Sequence, residues 1–267
     1  MQFHAIGGVP RGGTTLLCNV LNQSPRFFAS STSFIPQTVA STAEWLSKQE
    51  LMIGELARDK EGTERAFHAY LRGGIEGWYS TKTDRPVVFD KSRAWNRNAL
   101  LLKKLYPSAK LIIMVRDLRD VFASIERQSR NNPMAMGGDD IDAKAAVMFA
   151  KDKGMIGVPI AGIEDVLRRK PDNVVVIKYE AFVENPEVVL KNLYNDLGEE
   201  WYNGHDFDNV ENVATELDAL WLNNFPHDGS GKIEPSKSRW QEWVPPDVAQ
   251  GIMNGFQGYN GAFGYAG

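Results

Sequence analysis

The chain has 267 residues, of which 43% are hydrophobic and 24% are charged, and its formal net charge is −4. A chain of this length can bury one sizeable core, so we expect residues 1–267 to form a single domain. The negative balance argues against a surface built to bind nucleic acid. An anionic ligand would therefore need a local cluster of Lys, Arg and backbone N–H groups.

The composition predicts a cytosolic protein. Cys18 is the only cysteine, so no internal disulfide can form. We expect neither a secretory leader nor a membrane span, because the sequence shows no charged start followed by an apolar run and no apolar run of about 18 residues. No membrane or nucleic-acid partner is expected.

Short apolar runs of strand length alternate with segments of helical periodicity along the chain. Predicted strands cover residues 3–6, 86–89, 110–115 and 173–177, and predicted helices cover 14–22, 95–105, 121–130, 143–169 and 186–197, with a further helical stretch at about 43–79. This alternation predicts an α/β fold, with a mainly parallel central sheet and helices on both faces. Glycine and proline mark residues 131–140 and 223–236 as loops, and either is a candidate lid.

A glycine-rich turn, GGVPRGGTT at residues 7–15, follows the first predicted strand and leads into a helix. Glycines let a backbone approach an anion, and the N–H groups and dipole at a helix start favour negative charge. From Gly8 the spacing matches the nucleotide-triphosphate loop G-x-x-x-x-G-K-[ST], except that Thr14 stands in the lysine position. The cation is instead Arg11, inside the loop, where it can meet a shorter phosphoryl group.

A second anion site is predicted after the strand at residues 110–115. Arg116 follows that strand directly, at the carboxyl edge where open α/β sheets place their ligands. Ser124 falls about two turns into the next helix, so one anion could receive a guanidinium and a hydroxyl together. The alternative is a surface ion pair between Arg116 and Asp117, with no role for Ser124.

Together the two motifs resemble those of the sulfotransferases that use 3′-phosphoadenosine-5′-phosphosulfate (PAPS) and release the bisphosphate PAP. The family's loop has the form P-[KR]-x-G-T-T, which the sequence matches from Pro10 onward in the style of the tyrosylprotein branch. The resemblance implies a P-loop-like fold. It also implies contacts to the 5′-phosphosulfate from the loop residues Arg11, Gly12, Gly13, Thr14 and Thr15, and contacts to the 3′-phosphate from Arg116 and Ser124.

The resemblance assigns further residues to the same site. Tyr179 matches a tyrosine that contacts the adenine, although packing at a sheet edge is an alternative. Ser238 and Arg239 match a late segment in which a serine and a cation reach the cofactor phosphates. Lys91 stands where the family carries a lysine, so Arg11 and Lys91 are the predicted catalytic cations. A surface pair of Lys91 with its neighbouring aspartate is the alternative.

The function implied by the resemblance is metal-independent transfer of a sulfuryl group from PAPS to a hydroxyl or amine of a small molecule, peptide or glycan. Two alternatives stay open. A P-loop kinase shares the strand, loop and sheet and would hold magnesium through Asp90, although the loop lysine is missing. A nucleotide-binding module that has lost catalysis is the other.

The general base of the reaction is not assigned. The tyrosylprotein branch carries a glutamate shortly after the first helix, but residues 29–34 contain no carboxylate here. The histidine that the cytosolic branch places after the lysine is also absent, because a serine follows Lys91. Glu44, Asp90 and His68 remain as candidates.

Overall fold

The computed structural model describes residues 1–131, 140–216, 229–235 and 237–265. Within these residues lies a five-stranded sheet of order β2-β3-β1-β4-β5, in which every neighbouring pair is parallel. The strands are β1 (Gln2–Gly8), β2 (Phe27–Thr32), β3 (Val87–Lys91), β4 (Leu111–Val115) and β5 (Val174–Lys178). Because β1 lies between β3 and β4, the carboxyl ends of these three strands meet at one edge, where such sheets bind ligands.

Helices pack on both faces of the sheet. They are α1 (Thr14–Asn22), α2 (Ile35–Ser47), α3 (Glu50–Arg58), α4 (Lys60–Ser80), α5 (Ala99–Leu105), α6 (Leu118–Asn131), α7 (Ile141–Phe149), α8 (Gly157–Arg169), α9 (Tyr179–Glu184), α10 (Pro186–Leu197), α11 (Pro246–Gly255) and α12 (Gln257–Phe263). Within the described ranges, none of them is long and apolar enough to cross a lipid bilayer.

Strand β4 contributes side chains to two hydrophobic cores, one on each face of the sheet. Its residues are fully buried and point alternately to opposite faces of the sheet. Leu111, Ile113 and Val115 belong to the core under α4, α5, α6, α8 and α11. Ile112 and Met114 belong to the core under α1, α9 and α10. The predicted α/β architecture with helices on both faces is confirmed.

Several predicted elements differ from the observed ones. The helix predicted at 143–169 is two helices, because the chain turns between α7 and α8, where Gly154 lies so close to the carbonyl of Met148 that a Cβ would be 2.2 Å from its oxygen. The stretch at 43–79 is three helices, α2 to α4, and residues 95–105 hold a short 3₁₀ helix followed by α5. Strand β2 and helices α11 and α12 were not predicted. Most of the two candidate lids, at 132–139, 223–228 and 236, lies outside the described residues.

Candidate active site

The glycine-rich turn between β1 and α1 has two residues in the left-handed backbone region. Gly13 has φ of 86°, and a Cβ there would lie 2.5 Å from the ring of Tyr179. Arg11 has φ of 56° although it carries a side chain, which costs roughly 1–2 kcal/mol. Only surrounding contacts can hold an arginine in that conformation, so the turn is preorganised by its neighbours.

Asn96 is one of those neighbours, and no motif in the sequence indicates its role. Its side chain is buried, its Oδ1 accepts the N–H of Gly8 at 2.9 Å, and its Nδ2 donates to the carbonyl of Gly8 at 3.0 Å. Nδ2 also donates to the carbonyl of Pro159 at 3.1 Å. This amide therefore fixes the start of the turn, while the N–H of Gly12 closes it by donating to the carbonyl of Val9 at 3.2 Å.

Helix α1 begins at Thr14, directly after the turn, and among the described residues no side chain caps its first N–H groups. Those N–H groups and the helix dipole make its start an anion site. Lys91, at the end of β3, donates from Nζ to Oγ1 of Thr15 at 3.0 Å. The Lys91 side chain is only 5% exposed. The structure thus brings Lys91 to the loop. The alternative, in which Lys91 forms a surface ion pair with Asp90, is wrong.

The second predicted anion site lies beside the first. Arg11 donates from Nε to Oγ of Ser124 at 3.3 Å, and Arg116 donates from Nη1 to the carbonyl oxygen of Arg11 at 2.8 Å. The guanidinium of Arg116 also lies over the ring of Tyr179, 4.3 Å from its centroid. Arg11 therefore reaches from the turn toward the second site. Arg116 does not pair with Asp117, which is bound by Arg119 at 2.7 Å instead.

Helix α12 is hydrogen-bonded to the backbone of Arg116. The hydroxyl of Tyr259 accepts the N–H of Arg116 at 3.1 Å and donates to its carbonyl at 3.0 Å. Burial raises the pKa of Tyr259, so the hydroxyl stays protonated at neutral pH. Nearby, Glu180 accepts the N–H of Asp117 at 3.1 Å and the hydroxyl of Tyr265 at 2.8 Å. These contacts join α12 to the end of β4.

Ser238 and Arg239 lie at the rim of this region. The N–H of Arg239 donates to Oδ1 of Asp120, in α6, at 3.3 Å. The Arg239 side chain is 70% exposed, with Nε 4.0 Å from a carboxylate oxygen of Glu242. Ser238 is exposed as well. The contacts of Arg239 are thus with Asp120 and Glu242 and not with Arg116 or Ser124, and contact of Ser238 and Arg239 with a cofactor stays a prediction.

None of the three candidate bases faces Lys91. The carboxylate of Asp90 is fully buried and accepts hydrogen bonds from Ser33 at 2.8 Å, Trp95 at 2.6 Å and the hydroxyl of Tyr79. Burial raises its pKa, against the effect of these hydrogen bonds. With all three donors in place, Asp90 is also unsuited to hold magnesium, which removes the observation that favoured a kinase.

The other two candidates lie away from the site. Glu44 is exposed on α2, where it pairs with Lys48 at 2.6 Å. His68 lies in α4 and lines a depression with Lys104 and Pro107, which precede the amino end of β4. The turn and Lys91 lie at the opposite, carboxyl edge of the sheet.

A carboxylate that does face Lys91 comes from Glu216. Its side chain is 8% exposed and forms an ion pair with Nζ of Lys91. The N–H of Thr32, at the end of β2, donates to its Oε2 at 3.1 Å. Burial alone would raise the pKa of Glu216, but the charge and hydrogen bond of Lys91 hold it below its usual value. Residues 211–216 carry no motif that would have indicated this role.

No three His, Cys, Asp or Glu side chains are grouped as metal ligands in the part of the chain that the structure describes. What the described residues do provide is two neighbouring groups of anion-binding donors, one at the turn and the start of α1, the other at Arg116 and Ser124. The fold and these contacts define a P-loop-like α/β protein whose cations and helix N–H groups lie at the carboxyl edge of the sheet, where such folds bind anionic ligands.

Residues 5–203 match the model of the sulfotransferase family, and the chain belongs to that family. The family predicted from the two motifs is thereby confirmed. Human protein-tyrosine sulfotransferase 1 is 31% identical over 132 residues, an alignment that covers 48% of this chain and only 35% of the human protein.

Two solved structures share the fold. The sulfotransferase domain of the Synechococcus olefin synthase superposes with a TM-score of 0.53 at 18% identity, over 94% of each chain. A mouse sulfotransferase complexed with PAP superposes with a TM-score of 0.55 at 13% identity, over 96% of this chain and 83% of the mouse chain. At these identities the likeness concerns the fold alone.

Proposed function

We propose that this protein transfers a sulfuryl group from PAPS to a hydroxyl acceptor and releases PAP. The observation that supports the proposal is the series of contacts from Arg116 through Arg11 to Ser124, in which the residues of the predicted second anion site lie beside the glycine turn. A nucleotide with one group at the 5′ position and a separate phosphate at the 3′ position suits such a pair of sites. A triphosphate, whose phosphates lie in one row, does not.

Each part of the site has a role in this proposal. The N–H groups at the start of α1, with Thr14 and Thr15, bind the 5′-phosphate. Lys91 and Arg11 stabilise the charge that develops on the leaving phosphate oxygen, and electrostatic stabilisation of this kind is usually the largest single contribution to catalysis. Tyr179, between Gly13 and Arg116, contacts the adenine.

The acceptor class is proposed from chemistry and from one relative. A human relative is a protein-tyrosine sulfotransferase by name, so a phenolic hydroxyl is the first acceptor to test. Other hydroxyls, amines, and small-molecule, peptide or glycan acceptors belong to the same proposal. A cytosolic location without nucleic-acid or membrane partners also belongs to it.

The test is transfer of label from sulfur-labelled PAPS to a tyrosine-containing peptide, 2-naphthol and a primary amine, with PAP measured in parallel. Labelled product and an equal amount of PAP are expected. Tight binding of PAP without any consumption of PAPS would favour the catalytically inactive module. Transfer of phosphate from magnesium ATP, with PAPS left intact, would favour the kinase.

A further inference from the structure

The buried ion pair between Glu216 and Lys91 lies next to the start of α1. Nζ of Lys91 contacts Glu216 and, at 3.0 Å, Oγ1 of Thr15. The Lys91 side chain therefore lies between the Glu216 carboxylate and the turn and helix start, which bind the 5′-phosphosulfate in the proposed function. Asp90 and Glu44, the carboxylates considered from the sequence, are engaged elsewhere.

The segment that carries Glu216 is fixed against α1. Asn19, a buried residue of that helix, accepts the N–H groups of Val213 at 3.1 Å and Ala214 at 2.8 Å. Its Nδ2 donates to Oδ1 of Asn212, in the same segment, at 3.1 Å. Together with the N–H of Thr32, these bonds hold the glutamate in one orientation, facing the loop.

We propose that Glu216 is the general base that takes the proton from the acceptor, which rests on the proposed function. In the ligand-free protein the carboxylate is ionised, since Lys91 keeps its pKa low. When the phosphosulfate binds and Lys91 interacts with it, the Glu216 carboxylate loses part of its interaction with Lys91. The carboxylate then also lies near the negative charge of the phosphosulfate. Its pKa must then rise toward the range in which a carboxylate accepts a proton well at neutral pH.

The step balances as an in-line displacement. The acceptor O–H bond breaks and its proton passes to the carboxylate of Glu216, while the acceptor oxygen forms a bond to sulfur. The bond between sulfur and the 5′-phosphate oxygen breaks, and its electron pair stays on that oxygen, next to Lys91 and Arg11. Glu216 returns the proton to solvent after the products leave.

A purely structural role for Glu216 is the competing account. A buried ion pair loses much of its Coulomb gain to desolvation, so neutralising Lys91 alone would add little stability. The two roles differ in what removal of the carboxylate charge does. A base is needed in the transition state, whereas a partner of Lys91 affects folding and ground-state binding.

The first test compares Glu216→Gln with Glu216→Asp and with the control Glu211→Gln, which alters an exposed glutamate five residues earlier. With the three acceptor probes, Glu216→Gln should lower kcat at least about a hundredfold and remove the acidic limb of the pH profile, while Glu216→Asp keeps part of the activity. The affinity of Glu216→Gln for PAP should not weaken, because the substitution removes a negative charge from beside the anion site. Glu211→Gln should change neither quantity.

The second test needs no acceptor. PAP binding is measured calorimetrically in buffers of different ionisation enthalpy, which reports the protons taken up. The unmodified protein should take up more protons than Glu216→Gln, because the carboxylate gains a proton as Lys91 turns to the phosphate.

Equal proton uptake in both proteins would overturn the proposal, as would a Glu216→Gln variant with kcat within about threefold of the unmodified protein. A tenfold weaker affinity for PAP in that variant, with kcat unchanged at saturation, would assign Glu216 a structural role. An unmodified protein that binds no PAP would instead refute the proposed function, and the inference with it.

Discussion

Arg116 donates from Nη1 to the carbonyl oxygen of Arg11, 2.8 Å away, so the cation of the second anion site helps to hold the backbone of the first. This carbonyl belongs to a residue with left-handed backbone, a conformation that needs outside support. Changes at Arg116 are therefore expected to reach the glycine turn as well as the 3′-phosphate.

The preference for PAP over AMP tests the second anion site, because AMP lacks only the 3′-phosphate. A charged hydrogen bond contributes roughly 1.5–3 kcal/mol and a neutral one about 1, so PAP should bind about a hundredfold tighter. Arg116→Ala should remove most of this preference and Ser124→Ala a smaller part. Arg127→Ala, an exposed position on the same helix, is the matched control for calorimetric titration. Equal affinities of the unmodified protein for PAP and AMP would exclude PAPS as the co-substrate.

Arg11 is expected to act mainly in the transition state. Arg11→Ala and Arg11→Gly should both lower kcat far more than affinity for PAP, because the interaction strengthens as charge develops on the leaving group. The two variants should differ in stability. Since φ at this position is 56°, Arg11→Gly should have a free energy of unfolding about 1 kcal/mol higher than Arg11→Ala in urea denaturation. Weaker PAP binding with an unchanged kcat would contradict the catalytic role.

Sulfuryl transfer should not require a metal ion. The loop has threonine instead of the lysine that accompanies magnesium triphosphates, and Asp90 is already bound by three donors. Activity should persist in excess EDTA, measured as PAP release. Activity that disappears with EDTA and returns with magnesium would speak against the proposed mechanism.

The buried side chain of His4 should make the free energy of unfolding depend on pH. It is buried in β1, where its Nδ1 accepts the N–H of Lys110 at 3.0 Å. Burial, with the charge of Lys110, lowers the pKa of His4 to about 4, whereas an unfolded chain protonates histidine near 6.5. Between these values the unfolded state binds more protons, so the free energy of unfolding falls as the pH falls, by up to about 3 kcal/mol.

His4→Asn keeps an acceptor for Lys110 and should flatten this dependence, as measured by urea denaturation at pH 7 and pH 4.5. Part of the dependence will remain, since burial also lowers the pKa of His205 to about 4. His68→Asn, in α4, is the control. An unchanged slope in His4→Asn would show that other groups carry the acid sensitivity.

The sequence predicted what depends on local pattern. The glycine turn and α1 were located to the residue, because the glycines, the cation and the threonine pair stand next to one another. Strand β2 was missed because its second half, Ser30 to Thr32, is polar, and its backbone is ordered by pairing with β3. Glu216 had no local signal, because its role depends on contact with Lys91, 125 residues away in the chain.

The hydroxyl of Tyr259 pairs both the N–H and the carbonyl of Arg116, yet the family match ends at residue 203. A fragment cut at the boundary of that match would keep Arg11, Arg116 and Lys91 but lose Tyr259 and Glu216, which bond to Arg116 and Lys91. The N–H and the carbonyl of Arg116 would lose this partner, and a backbone group left unpaired there costs roughly 1–3 kcal/mol. Affinity tags and cleavage sites are therefore better placed away from α12, whose first turn supports the backbone of a residue predicted to bind the nucleotide.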